Sequence, residues 1–329
     1  MATLVLACGL FYLAITWLEA KHKASAELKE RNNSLKLAMK IQADSLPSEL
    51  PDSKYIGIYG MMAAASEVGG DFYDIFSPKE GLIAVLVADT SNKGLPASLF
   101  MMRAKATLRT ISYERSSPGD ILAIANRELV KDNSTEQFVT VWLGIIDTYT
   151  GMLWYSCAGH PAPLIKRDGE CTRLEVDRRL MLGSMDGIKY PTRGIRLREG
   201  DLICAFTDGV TEQEGPAREF YGAERLMDAV RGYSGNPHEM NSFLRRSVTE
   251  FAGGVEQSDD LTLLTMYVSD PCPKGIEVGP DLSELSRVTD FVSSEAASMG
   301  MSDERIMKME IVCEEIFVNI CKHSVPRTG

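Results

Sequence analysis

The sequence contains no Cys-x-x-Cys pair: its seven cysteines, Cys8, Cys157, Cys171, Cys204, Cys272, Cys313 and Cys321, are odd in number and scattered. That usage excludes a disulfide framework and reads as reduced, mostly buried thiols in a cytosolic setting. A basic excess is missing as well. Lysine and arginine number 35 against 46 aspartates and glutamates, for a net charge of -11 with no long basic run. A phosphate backbone needs a basic face, so nucleic acid is excluded as a partner. Regular alternation of strand and helix is absent too, which excludes a Rossmann-type sheet. What is present is ordinary globular composition, 44% hydrophobic and 25% charged over 329 residues. That is enough for one large catalytic domain with accessory segments.

Leu4 to Leu18 is almost uninterrupted apolar sequence, followed at once by Lys21, His22 and Lys23. A bilayer crossing needs about twenty apolar residues, so residues 1–20 read as a marginal membrane anchor, or as the end of a longer span. A signal peptide would carry its positive charges before the apolar core, and none stand there. The lysines that follow place the remainder of the chain on the cytoplasmic side of the membrane. The competing reading is an apolar helix buried in the protein or against a partner.

From Ala24 to Leu46 there is neither glycine nor proline, and Leu28, Asn32, Leu35, Met39, Gln42 and Leu46 recur at spacings of four and three. This is a short heptad seam with two polar positions, which suits a homodimeric coiled coil over residues 24–46 within a helical linker, 21–46. A plain surface helix packed on the next domain fits three heptads equally well.

From Lys54 to Val268 the texture is strand-rich. Apolar, β-branched or aromatic runs at Tyr55 to Met62, Leu82 to Val87, Phe138 to Ile146, Met152 to Cys157, Leu202 to Phe206 and Leu261 to Val268 are bounded by turn residues. Helices are expected over Pro96 to Ser112 and Pro118 to Lys131, each opened by proline, and over Glu224 to Val230 and His238 to Phe251. Strands joined by hairpins, with helices arriving in pairs, predict an α+β domain over residues 47–270: two packed antiparallel sheets covered by helices. Two amphipathic helices, Ser283 to Met299 and Ser302 to His323, follow in a separate segment, 275–329.

Four acidic motifs stand at expected strand-to-turn junctions: Glu67-Val-Gly-Gly-Asp71-Phe-Tyr-Asp74, Ala88-Asp89-Thr90-Ser-Asn-Lys-Gly94, Thr207-Asp208-Gly209 and Ser258-Asp259-Asp260-Leu-Thr262. Any one of them reads as a turn, since Asp-Gly is a common turn pair. Three apolar strands that each end in a carboxylate are harder to explain that way. Carboxylates gathered in a small volume need cations to neutralise them, and all-oxygen donors select magnesium or manganese over zinc or copper. The expected chemistry is hydrolysis by a metal-activated water.

These motifs, with Cys157-Ala-Gly-His160-Pro-Ala-Pro163 and Phe206-Thr-Asp-Gly-Val-Thr-Glu212, resemble those of the PPM-type serine/threonine phosphatases. The similarity is to the bacterial SpoIIE-like branch of sporulation and stress phosphatases, and it covers roughly residues 40 to 268. It implies an α-β-β-α sandwich and a site for two manganese or magnesium ions, which generate hydroxide and stabilise phosphoryl charge when about 3.5 to 4 Å apart. Asp89 would bridge both ions, Asp208 and Asp259 would complete one, and Asp71 with the Thr90 carbonyl the other. Asp260 is second to Asp259, because only one of two adjacent strand residues faces inward. Glu67 and Asp74 are expected in an outer shell, with surface solvation an equal reading for Asp74. Asn92 stands where that family has glycine, and asparagine is the residue that best replaces glycine at positive φ. His160 reads as a structural hydrogen-bonding residue in preference to a general acid.

Glu315, Asn319 and His323 recur every four residues on one helix face. Their segment resembles the N-box helix of histidine-kinase-like ATPases of the anti-sigma-factor kinase branch, which implies a partial α/β ATPase-like unit and a vestigial nucleotide site. Together these resemblances imply a metal-dependent phosphatase acting on phosphoserine or phosphothreonine of an anti-anti-sigma-factor-like protein. The alternatives are a non-catalytic phosphoprotein-binding scaffold and a two-metal hydrolase of small phosphoesters.

Overall fold

The computed structural model describes residues 17–323 except 18, 20, 24, 26–28, 31–32, 34–35, 48–49, 52, 54, 66–67, 270–275 and 277. The chain forms two compact units, one up to residue 272 and one from residue 273. Nearly all of the expected membrane anchor lies outside the described residues, as do Leu28, Asn32 and Leu35 of the heptad seam. Among the described residues no helix is long and apolar enough to cross a membrane.

Among the described residues ten strands make two five-stranded sheets. In one, β1 (Ile56–Ala63), β10 (Leu261–Val268), β9 (Leu202–Phe206), β6 (Leu164–Arg167) and β7 (Glu170–Arg173) lie in that spatial order. In the other the order is β2 (Phe72–Lys79), β3 (Leu82–Thr90), β4 (Val139–Asp147), β5 (Met152–Ala158) and β8 (Arg193–Arg196). Every ladder pair is antiparallel.

Three apolar layers hold the sandwich. Val85, Val87, Trp142, Ala205, Leu264 and Met266 fill the space between the sheets. On one outer face Leu86, Ala88, Val141 and Leu143 pack under α1 (Leu95–Glu114) and α2 (Pro118–Val130) through Met101, Leu108, Ile121 and Leu122. On the other, Cys204, Phe206 and Leu263 pack under α4 (Gly222–Gly232) and α5 (Met240–Ala252) through Leu226, Leu244 and Val248. Strand β3 is therefore buried on both faces, which is why its sequence is an unbroken apolar run and not an alternating one. Pro96 lies in the first turn of α1, and Ser117 caps α2 by accepting the Asp120 N–H.

The strand β2 is absent from the sequence reading. It carries Asp74, Ser77 and Pro78, breaks register between Phe76 and Lys79, and runs along a sheet edge, where proline is tolerated. The short strands β6, β7 and β8 give no run long enough to detect. The second unit holds α6 (Leu285–Ser298) and α7 (Asp303–His323), close to the expected helices.

Candidate metal centre

The junctions where strands end are the junctions that carry the carboxylates. Asp89 is the penultimate residue of β3, opposite Thr140 of β4. Ala88 before it packs under α1, so alternation turns Asp89 toward the inter-sheet side. Asp208 opens the one-turn helix α3 (Asp208–Thr211) directly after β9. Asp71 immediately precedes β2 and is 2% exposed. The Thr207 and Thr262 hydroxyls each donate to its Oδ2 at 2.7 Å.

The adjacent pair divides its labour in the turn that precedes β10. Asp260 faces in and is consumed by backbone: the Ala65 N–H donates to Oδ1 at 2.8 Å, and the N–H groups of Gly70 and Asp71 donate to Oδ2 at 2.7 and 3.3 Å. Asp259 faces the cluster and the solvent, with its side chain 42% exposed and Lys93 Nζ 3.0 Å from Oδ1. Lys93 also donates to the Ser258 carbonyl. Glycine is required at residue 70, since a Cβ there would meet Thr90 Oγ1 at 2.6 Å. That closeness lets the Thr90 hydroxyl donate to the Gly70 carbonyl at 2.8 Å and pins the first two acidic motifs together. Asn92 adopts φ 66°, the left-handed turn expected of it.

The carboxylates disturb one another strongly. Burial first, then repulsion from Asp208 and Asp259, pushes Asp89 up to about 7, against an opposing hydrogen bond with Asp71. Asp71 is held well above the usual range by burial and by the Asp89 charge, and Asp208 is raised by burial and by Asp259. Glu212, to which the sequence reading gave no role, is raised by burial and by the same two aspartates. Among the described residues no three Asp, Glu, His or Cys side chains converge as a finished metal shell. The cluster is close enough to repel but is not closed around a point.

Two expectations meet a different outcome. Asp74 is neither at the surface nor with the cluster: it is 0% exposed beneath α1, 3.3 Å from Arg109 Nη1 and 3.8 Å from Lys105 Nζ. The alternation of β2 puts Phe72, Asp74 and Phe76 on the helix side. The last two seam positions of the linker face the domain and not a partner helix. Gln42 is buried against Gly69, and Leu46 packs on the inter-sheet core. Glu67 lies outside the described residues. His160 is buried, its Nδ1 2.8 Å from Thr140 Oγ1, and burial drives its pKa down to about 3 against a smaller pull from the Phe206 carbonyl. It is a neutral hydrogen-bonding residue. Glu315, Asn319 and His323 are all exposed on α7.

A cleft of about 740 Å³ opens beside the cluster, lined by Asp89, Asp208, Glu212 and His160 and also by Arg178 and Arg179. Nothing in the sequence motifs anticipates these arginines.

Comparison with known proteins places this arrangement. Protein IcfG of Synechocystis sp. (strain ATCC 27184 / PCC 6803 / Kazusa) is 28% identical over 280 residues, 76% of this chain and 44% of its own length. The phosphoserine phosphatase RsbU of Bacillus subtilis (strain 168) is 25% identical over 185 residues, 56% of this chain and 55% of its own. The chain thus spans about half the length of the curated relatives it matches. Among solved structures, the SiaA-PP2C domain of Pseudomonas aeruginosa superposes with a TM-score of 0.65 at 24% identity, covering 74% of this chain and 99% of that domain. That likeness establishes the PP2C-type fold. The family model for stage II sporulation protein E (SpoIIE) matches residues 79–269, more than half of the sequence and inclusive of Asp89, Asp208 and Asp259, so the chain belongs to the SpoIIE family.

Proposed function

We propose that the chain is a metal-dependent protein phosphatase that hydrolyses phosphoserine or phosphothreonine on a small regulatory protein of the anti-anti-sigma-factor kind, within a partner switch. The observation that carries this reading is Asp89, an acid at the end of an apolar strand that burial first, and then the charges of Asp208 and Asp259, push up to about 7. Such a cluster is stable as anions only with cations among them, and its donors are oxygens throughout, which suits manganese or magnesium. Asp89, Asp208 and Asp259, with Asp71 and the Thr90 carbonyl, are the groups that would hold two such ions. When bound, the metal supplies a hydroxide at neutral pH and charge stabilisation for the phosphoryl oxygens.

The remaining residues set up the site. Thr207 and Thr262 both donate to one oxygen of Asp71 and fix its carboxylate beside Asp89. Asp260 fixes the backbone that carries Gly70 and Asp71, and Lys93 neutralises Asp259. His160, neutral, orients Thr140 beside Asp89.

Regulation enters this reading through the linker. Gln42 bonds to Gly69, and Lys105 of α1 donates to the Ser45 carbonyl, so the end of the linker helix touches both the metal loop and α1. Dimerisation over residues 24–46, and attachment of residues 1–18 to the cytoplasmic face of a bacterial membrane, would act through these contacts. The open arrangement of the carboxylates favours a site that is completed on activation. Residues 275–329 are read as a partial kinase-like module that follows the phosphatase domain in the chain, with Glu315, Asn319 and His323 a vestigial nucleotide face.

The test is manganese-dependent hydrolysis of a phosphoserine protein by the full chain and by its Asp208→Asn variant, with metal binding followed by calorimetry. Loss of turnover in the variant and in chelator supports the enzyme. Metal binding without turnover in either protein moves the reading to a phosphoprotein-binding scaffold.

A further inference from the structure

The segment that leaves β7, Arg173-Leu-Glu175-Val-Asp177-Arg178-Arg179, carries two acids among three bases. In an ordinary surface loop they would neutralise each other. Here both acids are taken by a residue from outside the segment: Arg193 lies 3.0 Å from Glu175 and 2.7 Å from Asp177. The Arg193 guanidinium holds the Asp177 carboxyl below its usual range, with Arg179 adding only a minor pull. Arg173, Arg178 and Arg179 are exposed, and among the described residues none makes an ion pair or a side-chain hydrogen bond. All three line the cleft that also holds Asp89, Asp208 and Glu212.

Three unpaired guanidinium groups beside a cluster of carboxylates, on a chain of net charge -11, call for a ligand. We infer that Arg173, Arg178 and Arg179 form a specificity rim that binds acidic side chains flanking the phosphorylated residue of the protein substrate. This deepens the phosphatase reading and rests on it. A cradle for a single phosphate would hold its cations in fixed, hydrogen-bonded positions. These side chains are unfixed and solvent-facing, as suits groups that meet an extended partner chain. Guanidinium pairs with carboxylate through two parallel N–H···O bonds, so arginine selects such residues better than lysine would. Cations at the cleft also draw an acidic protein toward a site whose other walls repel it.

The experiment measures binding by fluorescence anisotropy, with phosphonate-serine peptides that cannot be hydrolysed and whose flanks are glutamate, alanine or lysine. The full chain should prefer glutamate flanks by about tenfold at low salt and lose that preference as salt rises. Arg178→Glu/Arg179→Glu should abolish the preference and bind the lysine-flanked peptide more tightly than the unmodified chain does. That gain cannot come from a misfolded protein. Equal binding of the three peptides by the unmodified chain, or a glutamate preference that survives charge reversal, would overturn the inference. Hydrolysis of p-nitrophenyl phosphate in manganese is scored separately. A chain silent in that assay that still shows the switch in preference removes the phosphatase reading and retains the rim as a phosphoprotein-binding surface.

Discussion

Gln42 and Gly69 exchange two hydrogen bonds: the glutamine Nε2 donates to the glycine carbonyl at 2.8 Å, and the glycine N–H donates to Oε1 at 3.0 Å. Gln42 is 7% exposed, and Gly69 stands two residues before Asp71. A side-chain amide thus replaces a strand partner for backbone that must be satisfied when buried. The end of the linker helix is part of the wall behind the acid cluster.

Gln42→Ala should therefore do more than weaken the linker. It leaves one buried donor and one buried acceptor unpaired, at a cost of about 1 to 3 kcal/mol for each group that water does not reach. The expected outcome is a drop in melting temperature of several degrees, together with manganese affinity lowered by about tenfold, since the loop loses its fixed position. Calorimetry and thermal melts on the same variant check both. Unchanged metal affinity in a destabilised protein would confine Gln42 to a structural role.

Adjacent Asp259 and Asp260 should separate cleanly. Asp260→Ala removes the acceptor for three backbone N–H groups in a buried turn, and should cost about 2 to 4 kcal/mol in chemical denaturation. Asp259→Ala removes an exposed partner of Lys93, a kind of ion pair worth about 0 to 1 kcal/mol. It should leave stability nearly intact while abolishing metal-dependent turnover. Equal destabilisation by the two substitutions would contradict the assignment.

Much of the fold was legible because its central strands are buried on both faces. Leu82 to Val87 and Leu202 to Phe206 are apolar throughout and lead into Asp89 and Asp208, while the largely apolar Leu261 to Val268 follows directly on Asp259 and Asp260. The edge strand β2 was illegible for the opposite reason: charged and proline residues fill positions where only the fold supplies Lys105, Arg109 or a free edge. Asp71 and Asp74 look alike in sequence and differ only in which side of the sheet they reach. The arginines at 178 and 179 were hidden by Glu175 and Asp177, because a balanced run reads as self-neutralising until Arg193 is seen to claim both acids.

The titration of Asp89 and His160 gives stability terms of opposite sign. Asp89 is raised from its ordinary 3.8 to about 7, so its contribution is fully present below pH 4 and is lost as pH rises through 7. His160 is lowered from 6.5 to about 3, so its contribution is present above pH 6.5 and is lost as pH falls toward 3. In chelator, Asp89→Asn should lose the decline between about pH 4 and 7 and melt several degrees higher than the unmodified chain at pH 8. Manganese should restore the unmodified chain at pH 8 and leave the variant unmoved. A thermal melt series across pH, with and without metal, checks the sign. A variant as pH-sensitive as its parent would place the titration elsewhere.

The pair beneath α1 calls for a double-mutant cycle. Asp74 is fully buried and Lys105 nearly so, at 0% and 7% side-chain exposure, with Arg109 reaching in from the half-exposed side. Burial raises Asp74 and lowers Lys105, while each opposes the other's shift. Breaking a buried pair strands a charge, whereas replacing both partners by apolar groups of similar size is often neutral. Asp74→Leu alone leaves Lys105 and Arg109 facing an apolar layer and should cost about 3 to 5 kcal/mol. Lys105→Met alone should cost less, because Arg109 continues to bond both oxygens of Asp74 at 3.3 Å. The double variant should recover at least about 1 kcal/mol relative to the sum of the singles, the coupling expected of residues in one network. It should also release the Ser45 carbonyl, which Lys105 holds at the end of the linker helix. If that contact carries the signal, a double variant restored in stability will respond less to any N-terminal dimerisation than the unmodified chain does. Purely additive costs, with an unchanged response, would show that Asp74 and Lys105 serve packing alone.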